Sequence, residues 1–169
     1  VELADRLGAA VCCNYQHNNA FPGSHRLFAG PLGYNGSKAG MELISKADVV
    51  LALGTRLNPF STLPGYGIDY WPAKASIIQV DMNPNRIGLT KPVTVGIAGD
   101  AKKVTKAILA RLTATAGDDG REARKATIEE IKTNWAPELA TMDHEADDPG
   151  TTWNQRAKDS EPGTITTRR

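Results

Sequence analysis

The sequence predicts an α/β domain, a doubly wound and mostly parallel sheet with helices on its faces. Three observations lead there. Val49 to Leu53 are five apolar residues in a row, which suits a strand buried on both faces. A second strand-like run, Ser76-Ile77-Ile78-Gln79-Val80, stops at an acidic residue, Asp81. Strand-like and helix-periodic segments then alternate as far as about residue 113.

Taken in order, Val1 to Leu7 reads as the end of an amphipathic helix, with Leu3 and Leu7 one turn apart and Gly8 closing it. Ala9 to Cys13 is a short apolar strand. Its adjacent Cys12 and Cys13 point to opposite faces, which suits core residues better than a disulfide or a zinc site. Asn14 to Gly36 is a long irregular loop holding Pro22-Gly23 and Gly30-Pro31. Ser37 caps a helix from Lys38 to Lys46 whose apolar side is Met41, Leu43, Ile44 and Ala47. After the central strand comes a second long loop, Asn58 to Pro72, with Tyr66, Tyr70 and Trp71 packing against the sheet or stacking on a ligand. Val93 to Ile97 is the next strand. Asp100 then caps a helix from Ala101 to about Leu112, striped by Val104, Ile108 and Leu112. Past a polar break, Arg121 to about Trp135 is a charged helix. Beyond Pro137 the periodicity ends, and Asp143 to Arg169 reads as linker.

The totals fit this plan. The 169 residues are 40% hydrophobic and 23% charged, ordinary values for one globular domain with a tail. A net charge of +1 provides no global field for nucleic acid or an anionic membrane. No apolar run approaches the roughly 20 residues of a membrane span. The chain opens Val1-Glu2-Leu3, with no starting Met, no signal-peptide pattern and no strand before its first helix. It is therefore read as a piece of a longer, cytoplasmic protein, with a first strand expected upstream. The cysteine usage is in keeping with a reducing compartment.

In an open α/β sheet, ligands bind beyond the carboxyl ends of the strands. That directs attention to Gly54-Thr55-Arg56. Gly54 permits close backbone approach, and Arg56 offers a planar donor fork for an anion. The alternative is a plain turn with a solvated Arg. Gly33 and Gly36 flank the start of the second helix, where backbone N–H groups could meet an anion or simply form a turn. Asp81 can accept a ribose hydroxyl or cap the turn Met82-Asn83-Pro84-Asn85. His17, His25 and His144 are not spaced as a metal cluster or a triad. Arg26 and Arg56 are candidates for contact with a sulfonate or phosphate, or are solvated.

The runs Asp48 to Arg56, Ile78-Gln79-Val80-Asp81-Met82-Asn83-Pro84 and Gly99-Asp100 resemble the central domain of thiamine-diphosphate-dependent enzymes, such as acetolactate synthase and pyruvate oxidase. Three further stretches, Phe21 to His25, Phe28 to Ala39 and Leu57 to Gly67, resemble one branch, the sulfoacetaldehyde acetyltransferases. The resemblance covers the first two thirds of the chain. It implies a Rossmann-like central domain over residues 1–136, incomplete at its N-terminus. Residues 137–169 would link to a C-terminal cofactor-binding domain. It implies a parent acyltransferase, a dimer or tetramer, holding thiamine diphosphate and Mg²⁺ outside this piece. That parent would convert sulfoacetaldehyde and phosphate to acetyl phosphate and sulfite in taurine and sulfonate degradation, and this piece alone would be inactive. FAD is not expected, since the reaction is redox-neutral.

By motif position, the rim that holds a nucleotide in some relatives corresponds here to Gly33, Tyr34, Asn35, Gly36, Gly54, Arg56, Asp81, Asn83, Gly99 and Asp100. No catalytic or metal residue is assigned. Gly117-Asp118-Asp119-Gly120 lacks a following Asn pair, and Asn18-Asn19 comes before it. The alternatives are an acetolactate synthase-like carboligase and a non-catalytic nucleotide-binding module.

Overall fold

Every strand pairing in the structure, a computed structural model describing residues 1–14, 16–34, 36–112 and 120–147, is parallel. Strand β1 (Val11–Asn14) pairs with β2 (Phe28–Leu32). Strands β3 (Val49–Leu53), β4 (Ser76–Asp81) and β5 (Val95–Ala98) form a second ladder in that order. Among the described residues no ladder joins the two. The helices are α1 (Glu2–Leu7), α2 (Lys38–Ser45), α3 (Ala101–Arg111) and α4 (Arg121–Asp147). This is the α/β class read from the sequence.

The caps form as the sequence requires. Gly8 takes the left-handed conformation that ends α1. The Ser37 hydroxyl accepts from the Gly40 N–H at 3.1 Å, and the Asp100 carboxylate accepts from the Lys103 N–H at 2.8 Å. Each ladder has its own apolar cluster. Ala4, Leu27 and Ile128 pack with Val11, Phe21 and Leu43 at the first. Ala52, Leu57 and Ile77 pack with Val50, Trp71 and Val93 at the second.

Four expectations are corrected. The loop predicted from Asn14 to Gly36 contains β2, which Gly30 and Pro31 disguise. Proline cannot donate to a ladder, but among the described residues β2 is paired only with β1 and tolerates it. Strand β3 is not buried on both faces. Among the described residues it is paired with β4 alone, and Val49 and Leu53 are 52% and 37% exposed. The strand predicted from Val93 to Ile97 begins at Val95. Finally, α4 does not stop near Trp135 but runs through Pro137 to Asp147. A proline inside a helix costs about 3 kcal/mol, and the good helix formers around it, Ala136, Glu138, Leu139 and Ala140, oppose that cost.

The chain divides into two units, Val1–Lys132 and Thr133–Arg169. All five strands among the described residues belong to the first. The described part of the second is its stretch of α4. Most of the linker predicted over Asp143 to Arg169, and Gly117, Asp118 and Asp119, lie outside the described residues.

Candidate functional site

The carboxyl ends of β3, β4 and β5 open into one cleft of about 380 Å³. Gly54, Asp81, Met82, Asn83, Arg86, Gly99, Asp100 and Ala101 line it. Five of the ten rim positions read from the sequence, namely Gly54, Asp81, Asn83, Gly99 and Asp100, thus share one wall of space. Parallel register explains the meeting. Leu53 lies opposite Val80 and Asp81 opposite Ala98, so the three strand ends finish level. Gly54 sits at φ 63°, a conformation glycine adopts without strain, and its N–H donates to the Val80 carbonyl at 2.8 Å.

The cleft carries both signs of charge. Asp81 is buried, and its carboxylate accepts from the Asn83 N–H at 2.8 Å. Asp100, also a lining residue, caps α3. Arg86 supplies a guanidinium. Such a set suits a ligand with hydroxyl groups for the carboxylates and an anionic group for the arginine. Arg56 does not line this cleft. Its side chain is exposed, and its carbonyl accepts from the Thr90 hydroxyl at 3.3 Å. The sequence reading missed Met82, Arg86 and Ala101. Arg86, two residues beyond the Pro84 that opens a short 3-10 turn, was the findable one.

Gly33, Tyr34 and Gly36 lie elsewhere, at the end of the β1–β2 ladder, and Asn35 is outside the described residues. The loop predicted over Asn58 to Pro72 covers this second rim. A side chain at Gly65 would meet the Tyr34 backbone and the Met41 side chain, so the two loops touch there. Gly36 is buried with no room for a Cβ against the Pro31 carbonyl. Tyr70 is fully buried, and its hydroxyl donates to the Ser61 carbonyl at 3.1 Å. Burial pushes the Tyr70 phenol up to about 12, opposed by a hydrogen bond from the Gly33 backbone and aided by Cys12. Of the loop's other aromatics, Trp71 joins the core beneath β3, while Tyr66 stays exposed under the Lys38 ammonium, 4.8 Å from its ring centre.

The remaining candidates have structural surroundings. His25 Nδ1 accepts from the Leu27 N–H at 3.2 Å, which leaves Nε2 to carry the proton toward Asp5, 3.5 Å away. Its ring meets Phe21 edge-on. Arg26 lies 3.8 Å from the same carboxylate. His25 and Arg26 therefore anchor their loop to α1. Cys12 faces α2, its Sγ 4.0 Å from the Gly40 carbonyl, and burial first, then Cys13, pushes its thiol up to about 12. Burial also raises the Cys13 thiol. Neither is an activated thiolate. Among the described residues no three His, Cys, Asp or Glu side chains gather as metal ligands. No described helix is long and apolar enough to cross a membrane.

Fold and cleft together define a parallel α/β domain with a ligand-sized rim at its strand ends. A family model for the thiamine pyrophosphate enzyme central domain matches residues 1–108, and the chain belongs to that family. The sulfoacetaldehyde acetyltransferase of Roseovarius nubinhibens is 77% identical over 95% of this chain, and that of Rhodobacter capsulatus 68% identical over 99%. A probable acetolactate synthase large subunit from Methanocaldococcus jannaschii is 34% identical over 68% of it. The chain spans 27% and 28% of the length of the two acetyltransferases.

Proposed function

We propose that this chain is the central-domain part of a sulfoacetaldehyde acetyltransferase, an enzyme that turns sulfoacetaldehyde and phosphate into acetyl phosphate and sulfite. The observation that carries this reading is 77% identity over 95% of the chain to an acetyltransferase of that name. The acetolactate synthase relative is far less similar, at 34%. The exposed apolar flank of β3 supports a part belonging to a larger sheet, since parallel strands are ordinarily covered on both faces. Residues 1–136 form the partial central domain, and 137–169 lead toward a cofactor domain.

In this reading the thiamine diphosphate and Mg²⁺ sites belong to the rest of the protein, and the parent is a cytoplasmic homo-oligomer. When bound, the cofactor supplies the carbanion chemistry. The described residues supply scaffold. The test is an assay of the full-length protein with sulfoacetaldehyde, phosphate, thiamine diphosphate and Mg²⁺. Equimolar acetyl phosphate and sulfite are expected. Acetolactate from pyruvate, with no sulfite from sulfoacetaldehyde, would overturn the reading in favour of the carboligase.

The open cleft favours a second, compatible role. We propose that Gly54, Asp81, Asn83, Arg86, Gly99 and Asp100 form a nucleotide-binding rim, with Arg86 toward phosphate and the carboxylates toward ribose hydroxyls. Gly33, Tyr34, Asn35, Gly36 and Arg56 are not included. Calorimetric titration of the full-length protein with ADP, FAD and CoA tests it. Absence of heat at millimolar ligand removes it.

A further inference from the structure

Gln79 is the one buried amide in β4, only 1% exposed between the apolar Ile78 and Val80. Burying an amide is costly unless its hydrogen bonds are made, and here they are. Nε2 donates to the Thr55 carbonyl at 2.9 Å and to the Arg86 carbonyl at 3.3 Å. Oε1 accepts from the Gly88 N–H at 2.8 Å. One side chain therefore ties the loop leaving β3 to the turn leaving β4.

Both tied segments border the cleft. Thr55 follows Gly54, and Arg86 is itself a lining residue. Two further features gather at the same junction. The Thr90 hydroxyl donates to the Arg56 carbonyl at 3.3 Å, a second tie between the same loops. Leu57 holds a left-handed backbone, φ 51°, which costs a branched residue energy, and its N–H donates to the Thr55 hydroxyl at 3.2 Å. A strained residue stays in place only when its surroundings hold it, and Thr55, which receives the Leu57 N–H on its hydroxyl, is held in turn through its carbonyl by Gln79.

We propose that Gln79 is the positioning residue of the rim cleft. Its amide sets the spacing between the Gly54 loop and the Arg86 turn, so that this wall stands formed before a ligand arrives. The ligand part of this inference rests on reading the cleft as a nucleotide site. The spacing itself does not.

The test compares full-length wild type with Gln79→Met and Gln79→Glu by residue-resolved amide hydrogen exchange. Gln79→Met keeps the length and removes all three bonds. Exchange at Leu57, Arg86 and Gly88 is expected to rise about tenfold, with Ile97 and Val104 unchanged. Gln79→Glu keeps the acceptor for Gly88 and sets a carboxylate against the Thr55 and Arg86 carbonyls. Leu57 and Arg86 are then expected to loosen while Gly88 keeps its protection. No change at these amides, or an equal rise along β4 and β5 in both variants, would overturn the proposal. ADP titration is run alongside. Binding to wild type that weakens about tenfold in Gln79→Met supports a wall built for a ligand. Unaltered ADP affinity in a loosened Gln79→Met overturns that part. No ADP binding to wild type removes the nucleotide reading and leaves the exchange pattern to decide the role of Gln79.

Discussion

The ends of the two ladders are written in nearly the same local grammar and come out differently. After β2 the chain gives Gly33 and Gly36, then Ser37 capping α2. After β5 it gives Gly99, then Asp100 capping α3. Yet the first end is roofed by the Asn58–Pro72 loop, with Gly65 against Tyr34 and the Tyr70 hydroxyl near Gly33. The second end stands open as a cleft. Strand-end glycines and caps mark where a ligand has backbone access. What decides whether that access survives is a loop arriving from elsewhere in the chain.

The largest test of this contrast is to lift the roof. A side chain at Gly65 would place its Cβ 2.7 Å from the Met41 Cε and from the Tyr34 carbonyl oxygen. Gly65→Val should cost the first ladder on the order of 3 kcal/mol, the upper range for overpacking. Exchange at the β1 and β2 amides should reveal it, while the β4–β5 ladder keeps its protection. Equal loss in both ladders would mean that the loop supports both ladders rather than one rim.

Alkali should act on the roofed end next. Cys12 and Tyr70 both have raised pKa values, each about 12. Unfolding releases them to near 9 and 10, so above pH 9 the unfolded chain sheds protons that the folded one keeps. Their contribution is whole below pH 9 and is lost as pH rises toward 12. A loss on the order of 2 kcal/mol by about pH 10.5 is expected. Urea midpoints at rising pH would measure it, and Cys12→Val should flatten the slope. Tyr70→Phe is a milder cut at the same place. It strands the Ser61 carbonyl and should cost about 1 kcal/mol at β1 and β2.

How much of this could be read from the chain divides along the same line. The alternation of elements, both caps, and the strand-end placement of Gly54, Asp81, Asn83, Gly99 and Asp100 around one cleft were legible, because each depends on a few neighbouring residues. Strand β2 was not, since Gly30 and Pro31 break the apolar alternation that marks a strand. The burial of Tyr70 was legible only as a choice between packing and stacking. Nothing local tells Tyr70, fully buried, from Tyr66, half exposed, four residues earlier. Gln79 was visible as a polar residue in an apolar run. Its partners were not, because Thr55 and Gly88 lie in other loops.

The finest test sets one cap against the other. Ser37→Ala and Asp100→Ala each remove one side-chain acceptor from a helix start, and each should cost about 1 kcal/mol in its own helix. If access is what separates the two ends, only the second substitution should also change ADP affinity, because Asp100 lines the cleft and Ser37 does not. Asp100→Asn refines the point, since asparagine caps as well as aspartate but carries no charge. Weakened ADP binding in Asp100→Asn, with exchange in α3 unaltered, would assign the effect to the carboxylate facing the ligand. An equal ADP response to Ser37→Ala would instead mean that the roofed end still communicates with the open one, and the contrast between them would fail.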